Sequence, residues 1–310
     1  MNGAVNFSVF SDYTFIVVAL GCGMLGMISG VLGSFSVLRK ESLLGDGVSH
    51  ASLPGVVAAF LLTGVRSISV LLTGALISGL LATFLINLAV KKSRLKFDAA
   101  LATVMSSFFG LGTVLLTCAQ KLPDATQAGL DSFIYGQAGA MLKSDVVLLS
   151  VSAFILLLGV ILLWKEFKLF SFDRDFAVQA GFNEKVLSAV LSLMTVLAII
   201  LGIQTVGVVL MSAMLITPAA SARQWTNKLW IMVVLAAVFG SLSGAAGAYV
   251  SAVYTGIPTG PAIVIISGII GTISILFAPK RGILKQIIGR RLSRVKLTVT
   301  LRERNSKEES

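Results

Sequence analysis

A polytopic bundle of transmembrane α-helices is the fold class that this 310-residue sequence predicts, on three observations. Residues of the AVILMFWYC set make up 56% of the chain and DEKR only 13%, with a mean hydropathy of +0.93, against about a quarter charged in soluble domains. The apolar residues run in blocks of about 20, the length a bilayer demands of a helix. Lys and Arg gather in alternate connections between the blocks, the asymmetry that orients membrane proteins. An ordinary soluble domain is excluded. The formal charge of +11 does not point to nucleic acid either, because residues 280–310 hold ten Lys/Arg against three acids and so carry +7 of it.

Read in chain order, the blocks predict spans at 14–37, 41–64, 67–90, 99–120, 142–164, 186–202, 206–222, 229–254 and 259–279, with 1–279 as the membrane domain and 280–310 as a basic cytoplasmic tail. The sixth and seventh blocks are short and meet at Gly202 to Gly207, so they read as two tilted crossings or one broken, partly re-entrant pair, for nine spans or eight. Arg39-Lys40, the run Lys91 to Lys96, the segment 165–185, the Arg223/Lys228 turn and the tail form one basic set of connections. The opposite set, 1–13, the Arg66 turn, 121–141 and 255–258, holds two basic residues. Nine spans separate the two sets, with the N-terminus outside and the C-terminus in the cytoplasm. Residues 1–13 carry no Lys or Arg, so the first block is expected to be a retained span and not a cleaved signal.

Gly21, Gly23, Gly26, Gly30 and Gly33 in the first span, and Gly240, Gly244 and Gly247 in the eighth, are expected at helix contacts, since small residues let helices approach closely in lipid. They suit contacts within the chain or with a partner subunit. Cys22 and Cys118 fall inside apolar blocks and read as small buried hydrophobes.

The chemically informative stretch is Glu41 to Gly55, which opens the second span. Asp46 and His50 are four residues apart, so a helix puts them on one face, about 6 Å apart along its axis. A span starting near Glu41 would place His50, the chain's single histidine, roughly 13 Å from the cytoplasmic end. An ionised Asp at such depth costs on the order of 3 kcal/mol unless compensated, so such groups face a cavity, a partner or an ion. The two side chains pair with each other, cap a break at Gly45 and Gly47, or bind a metal. Imidazole and carboxylate suit divalent Mn, Fe and Zn, and two copies of the helix about a two-fold axis would supply four ligands. Gly45, Gly47 and Pro54-Gly55 suggest irregular backbone beside the pair. Ser49 and Ser52 either orient the ligands or bond to their own helix carbonyls.

No G-xxxx-G-K-[ST] phosphate loop occurs, so ATP coupling would need another subunit. HExxH, CxxC and GxSxG are also absent, and a membrane hydrolase has only Ser49 and Ser52 near His50 in its favour. In the segment 165–185, Phe172, Phe176, Ala177 and Ala180 recur at helical spacing before Gly181, a helix stop, which suggests docking against a partner, the membrane or the protein's own cytoplasmic face.

The run Leu38-Arg39-Lys40, Leu44-Gly45-Asp46, Ser49-His50-Ala51 and Pro54-Gly55 resembles the permease family of bacterial ABC importers for manganese, zinc or iron. So do Phe172-Asp173, Phe176-Ala177 and Gly181, and the series Val206-Gly207, Met211, Met214-Leu215 and Pro218-Ala219-Ala220. The likeness covers most of residues 14–279. It implies a type II permease of the cobalamin-importer kind in the bacterial plasma membrane, paired with a second copy or a paralogue. It also implies two cytoplasmic ATP-binding subunits and an extracellular metal-binding lipoprotein. On that likeness Asp46 and His50 would coordinate the passing ion, and Phe172 to Gly181, with Phe172, Asp173, Phe176, Ala177 and Gly181, would be the ATPase coupling segment. The divalent ion, manganese first and then zinc or iron, would be cargo, with no permanently bound cofactor and no catalytic site. The long basic tail would meet anionic lipid or remain solvated. A second reading keeps the same ligand pair in a secondary transporter or channel without an ATPase. Because imidazole binds metal only when neutral, transport is expected to weaken as pH falls into the histidine titration range.

Overall fold

The computed structural model describes residues 12–65, 67–121, 139, 141–254 and 256–285, and among them every regular element of more than one residue is a helix. Most of the basic tail, most of the 121–141 connection, Arg66 and the first eleven residues lie outside the described residues.

Helix α1 runs Tyr13–Leu38, started by Asp12, whose carboxylate accepts from the Thr14 N–H at 2.9 Å. The predicted second span is two helices, α2 Leu44–Ala51 and α3 Leu53–Thr63, the latter ended by Gly64 in the left-handed conformation at φ 63°. Next come α4 Ile68–Lys92, α5 Phe97–Gln120 and α6 Lys143–Leu162. Two short helices follow, α7 Trp164–Phe172 and α8 Arg174–Gln179. The chain closes with α9 Glu184–Val206, α10 Val208–Trp225, α11 Leu229–Val253 and α12 Thr259–Phe277.

Seven helices (α1, α4, α5, α6, α9, α11 and α12) are long and apolar enough to cross a bilayer. The other two predicted spans are the interrupted α2–α3 pair and the 18-residue α10, which carries Pro218 inside it. The sixth and seventh blocks meet more abruptly than expected. Helix α9 continues through Gly202 to Val206, and the chain turns at Gly207 alone, at φ 96°. Gly202 lies against Met211, so α9 and α10 fold back on each other, and a side chain at 202 would occupy the space of the Met211 sulfur.

Helix α1 is the axis of the bundle, packed on α11, α10, α6 and α9, whereas α5 sits at the edge and packs mainly on α2, α3 and α4. The small residues explain the closeness of α1 and α11. Gly26 and Gly240 face each other backbone to backbone, Gly30 meets the Ala236 carbonyl and Gly244 meets the Cys22 carbonyl. These glycines are therefore contacts within one chain. Cys22 is buried as expected, but Cys118 is exposed, because α5 turns most of its surface outward.

Candidate metal site

Helix α2 is only eight residues long, and six of them (Leu44, Gly45, Gly47, Val48, Ser49 and Ala51) are buried. Four neighbouring helices take up those faces. Gly45 lies on α10, where a Cβ would come within 2.9 Å of Leu215 Cδ2; Gly47 lies on α5, where one would come within 3.0 Å of Leu101 Cγ. Val48 fills the space beside Gly79 of α4, together with Val196 and Ile200 of α9. The glycines bracketing the carboxylate thus serve close packing within a regular helix. The expected irregularity lies one turn later, at Ser52 between α2 and α3, where Pro54 has no N–H to donate to the His50 carbonyl.

Asp46 and His50 are what remains of α2 after this packing, the two residues of the helix that are not buried. Their side chains are 37% and 25% exposed and share one face, with His50 Nε2 3.6 Å from Asp46 Oδ1. That separation is too long for a hydrogen bond and within ion-pair reach of a protonated ring, so it is the neutral imidazole that leaves both atoms open to a cation. A cation bonded at about 2.1 Å to both atoms would subtend an angle of about 120°, near the tetrahedral value. Asp46 stands in the first turn of α2, where the helix dipole favours a negative charge. The His50 ring is held edge-on by Phe109 of α5, centroids 5.1 Å apart at 86°. Among the described residues no third His, Cys, Asp or Glu joins them, so a single chain offers two ligands of a shell that needs about four.

The two serines differ. Ser52 Oγ donates to the Ser49 carbonyl at 2.7 Å, the bond to its own helix that the sequence allows, while Ser49 Oγ is buried without a hydrogen-bond partner. Neither hydroxyl is bonded to Asp46 or His50 in this structure.

The predicted coupling segment, Phe172 to Gly181, runs from the last residue of α7 through α8. The Asp173 carboxylate caps α8 by accepting from the Phe176 N–H at 2.9 Å, and Gly181 ends the segment at φ 88°. Phe172 and Phe176 are each 54% exposed, whereas Ala177 is buried, so the apolar stripe is divided between an outward aromatic pair and an inward anchor. Arg39 ties the base of this segment to the bundle: its guanidinium donates to Glu41 Oε1 at 2.8 Å and Ser188 Oγ at 3.1 Å and stacks 5.0 Å from the Phe170 ring centroid. Phe109 and the Arg39–Ser188 contact were not singled out in the sequence, because both join helices far apart in the chain and leave no spacing to read.

Residues 11–278 match the model of the ABC 3 transport family. The chain is 47% identical over 283 residues to the zinc transport system membrane protein TroC of Treponema pallidum, covering 91% of this chain and 95% of that one. It is 44% identical over 292 residues to the manganese transport system membrane protein MntC of Bacillus subtilis, covering 94% of this chain and 65% of that longer protein. Among solved structures it resembles PsaBC from Streptococcus pneumoniae in complex with Fab, with a TM-score of 0.78 and 29% identity, covering 90% of this chain and 97% of that one.

Proposed function

The chain belongs to the ABC 3 transport family, and on that premise we propose that it is the membrane permease of an ATP-driven importer of a divalent transition metal, with Asp46 and His50 as the ligands the ion meets in transit. One observation carries the site: α2 buries every residue except a carboxylate and an imidazole whose polar atoms stand 3.6 Å apart without a hydrogen bond between them. Relatives named for zinc and for manganese support a transition metal as cargo and favour neither. Asp/His donor sets accept both, and iron as well.

The α2–α3 pair and α10 cross the membrane with the seven long helices, which gives nine spans with the N-terminus outside and the C-terminus cytoplasmic. A second permease chain, a copy or a paralogue, completes the ligand shell across a two-fold axis. The outward surface of α5 beside the site supports this, with Ser106, Phe109, Gly110 and Thr113 all exposed and open space at Gly110. Small and hydroxylated residues on a membrane helix suit a partner helix better than lipid tails. Separate ATP-binding subunits dock on Phe172 and Phe176, and an extracellular metal-binding lipoprotein delivers the ion.

The test is metal uptake in cells depleted of ATP with the membrane potential maintained. Uptake is expected to stop. Persistent uptake that follows the potential would replace the proposal with the secondary transporter or channel that the same ligand pair permits.

A further inference from the structure

Two crevices run along the lipid-facing seam of α4 and α9, and they differ in charge. One, of about 240 Å³, reaches from Leu72 to Leu76 of α4 and from Leu197 to Leu201 of α9, with α6 as its third wall, and no charged residue lines it. The other, of about 280 Å³, follows α4 from Leu80 to Lys91 and α9 from Lys185 to Leu193, with both lysines at the same end. Along α4 the second crevice is about 16 Å long, half of the roughly 30 Å hydrocarbon thickness. It therefore fits one leaflet, with the two ammonium groups at headgroup level.

A second observation points to an occupant with polar groups below its charge. Asn87 lines the same crevice one turn inside Lys91, and no group among the described residues hydrogen-bonds its side-chain amide. At that depth there is little water to satisfy an amide, and an unmet one is costly. Nor is either lysine paired with a carboxylate among the described residues.

We infer that this crevice seats one anionic glycerophospholipid of the cytoplasmic leaflet. Its phosphate lies between Lys91 and Lys185, its ester carbonyl accepts from Asn87, and an acyl chain follows the apolar wall toward Leu80. The leaflet assignment rests on the orientation proposed above; the lipid itself does not. Val48 of the metal-site helix meets the same two helices just beyond the apolar end of the crevice, at Gly79 of α4 beside Val196 and Ile200 of α9.

The test uses the full permease in nanodiscs and reads bound lipid by non-denaturing mass spectrometry after exchange against phosphatidylglycerol or phosphatidylcholine with identical acyl chains. Wild type is expected to prefer the anionic lipid by roughly 10- to 30-fold, the increment two lysines supply near a membrane surface. The double variant K91Q/K185Q is expected to lose that preference, and Ala189→Trp, which fills the crevice, to lose the bound lipid with either headgroup. Equal retention of the two lipids by wild type, an unchanged preference in K91Q/K185Q, or displacement of the bound lipid by millimolar glycerol phosphate would overturn the inference. Lys91→Cys in a Cys118→Ser background, since Cys118 is an exposed thiol, labelled with an impermeant maleimide, separates the two claims: modification in inverted vesicles supports the cytoplasmic leaflet. Modification in right-side-out vesicles overturns the leaflet and the orientation and leaves the measured lipid preference standing.

Discussion

The seam between α1 and α11 and the surface shared by α2 and α5 are built from the same small residues and have opposite outcomes. In the seam, Gly26 faces Gly240 and Gly244 faces the Cys22 carbonyl at backbone distance, and both helices are covered there. At α2, Gly45 and Gly47 instead admit the Leu215 and Leu101 side chains of α10 and α5 against the helix, and Asp46 and His50 stay uncovered. Lipid does not drive helices together by the hydrophobic effect, so close packing by small residues supplies stability in both places. The difference lies in what the packing leaves over: nothing in the first case, a ligand pair in the second. A membrane helix that buries its apolar and small residues but spares its ionisable ones is shaped by what those groups must reach.

The strongest way to break this comparison is to remove the uncovered pair. Asp46→Ala and His50→Ala are each expected to lower metal uptake by at least about 100-fold, since each deletes one of two ligands offered by a chain. Assembly and ATPase co-purification should be intact, because neither side chain supports a buried contact other than the Phe109 edge. Wild-type uptake in both variants would remove α2 from the transport path.

The closed seam predicts the opposite pattern. Gly240→Val places a side chain against the Gly26 backbone, where there is no flexible group to yield, and overpacking of this kind costs at least about 2 kcal/mol. Thermal unfolding in detergent should fall by several degrees, while uptake per folded permease stays within a factor of about two of wild type. A selective loss of uptake without loss of stability would show that the seam moves during transport and is not a fixed contact.

Much of this contrast was legible in the sequence. Apolar block length located the helix ends mostly within a few residues, and a four-residue spacing placed Asp46 and His50 on one face. What escaped were facts about neighbours. Gly45 and Gly47 suggested irregular backbone, but glycine in a membrane helix signals close approach as readily as a break, and only the positions of Leu215 and Leu101 decide between them. The break fell at Ser52 because Pro54 deletes a backbone donor, a consequence of the chain's own geometry that the Pro-Gly pair did announce. Cys118 read as buried because hydropathy does not distinguish protein interior from lipid. Phe172, Phe176 and Ala177 formed one stripe by spacing, whereas the capping of α8 by Asp173 restarts the helix and sends Ala177 inward and the aromatic pair outward.

That aromatic pair is a second uncovered surface and sharpens the comparison from outside the membrane. Phe176→Ala is expected to weaken retention of the ATP-binding subunit by roughly 10-fold, the scale on which an exposed aromatic anchor acts at an interface. Metal binding to the permease itself should be unchanged. Ala177→Leu tests the inward anchor and should reduce stability first. If Phe176→Ala leaves the subunit bound at wild-type strength, the exposed aromatic pair is not the docking element.

The smallest effect separates Ser49 from its neighbours. Its hydroxyl is buried on α2 without a hydrogen-bond partner, a state that costs about 1–3 kcal/mol relative to a satisfied group. If packing alone set this residue, Ser49→Ala would relieve an unmet polar group, raise the unfolding temperature by a degree or two and leave uptake within about two-fold of wild type. If the hydroxyl turns to the carboxylate or the imidazole once the ion is bound, the same variant weakens metal affinity by about 10- to 100-fold, as loss of a ligand-orienting partner does. The first outcome is expected, because in this structure the Ser49 hydroxyl lies on the buried side of α2 and bonds to neither ligand. Titration of the purified permease with metal, run beside the thermal measurement, distinguishes the two, and a fall in affinity with no gain in stability would move Ser49 from the packed side of the comparison to the open one.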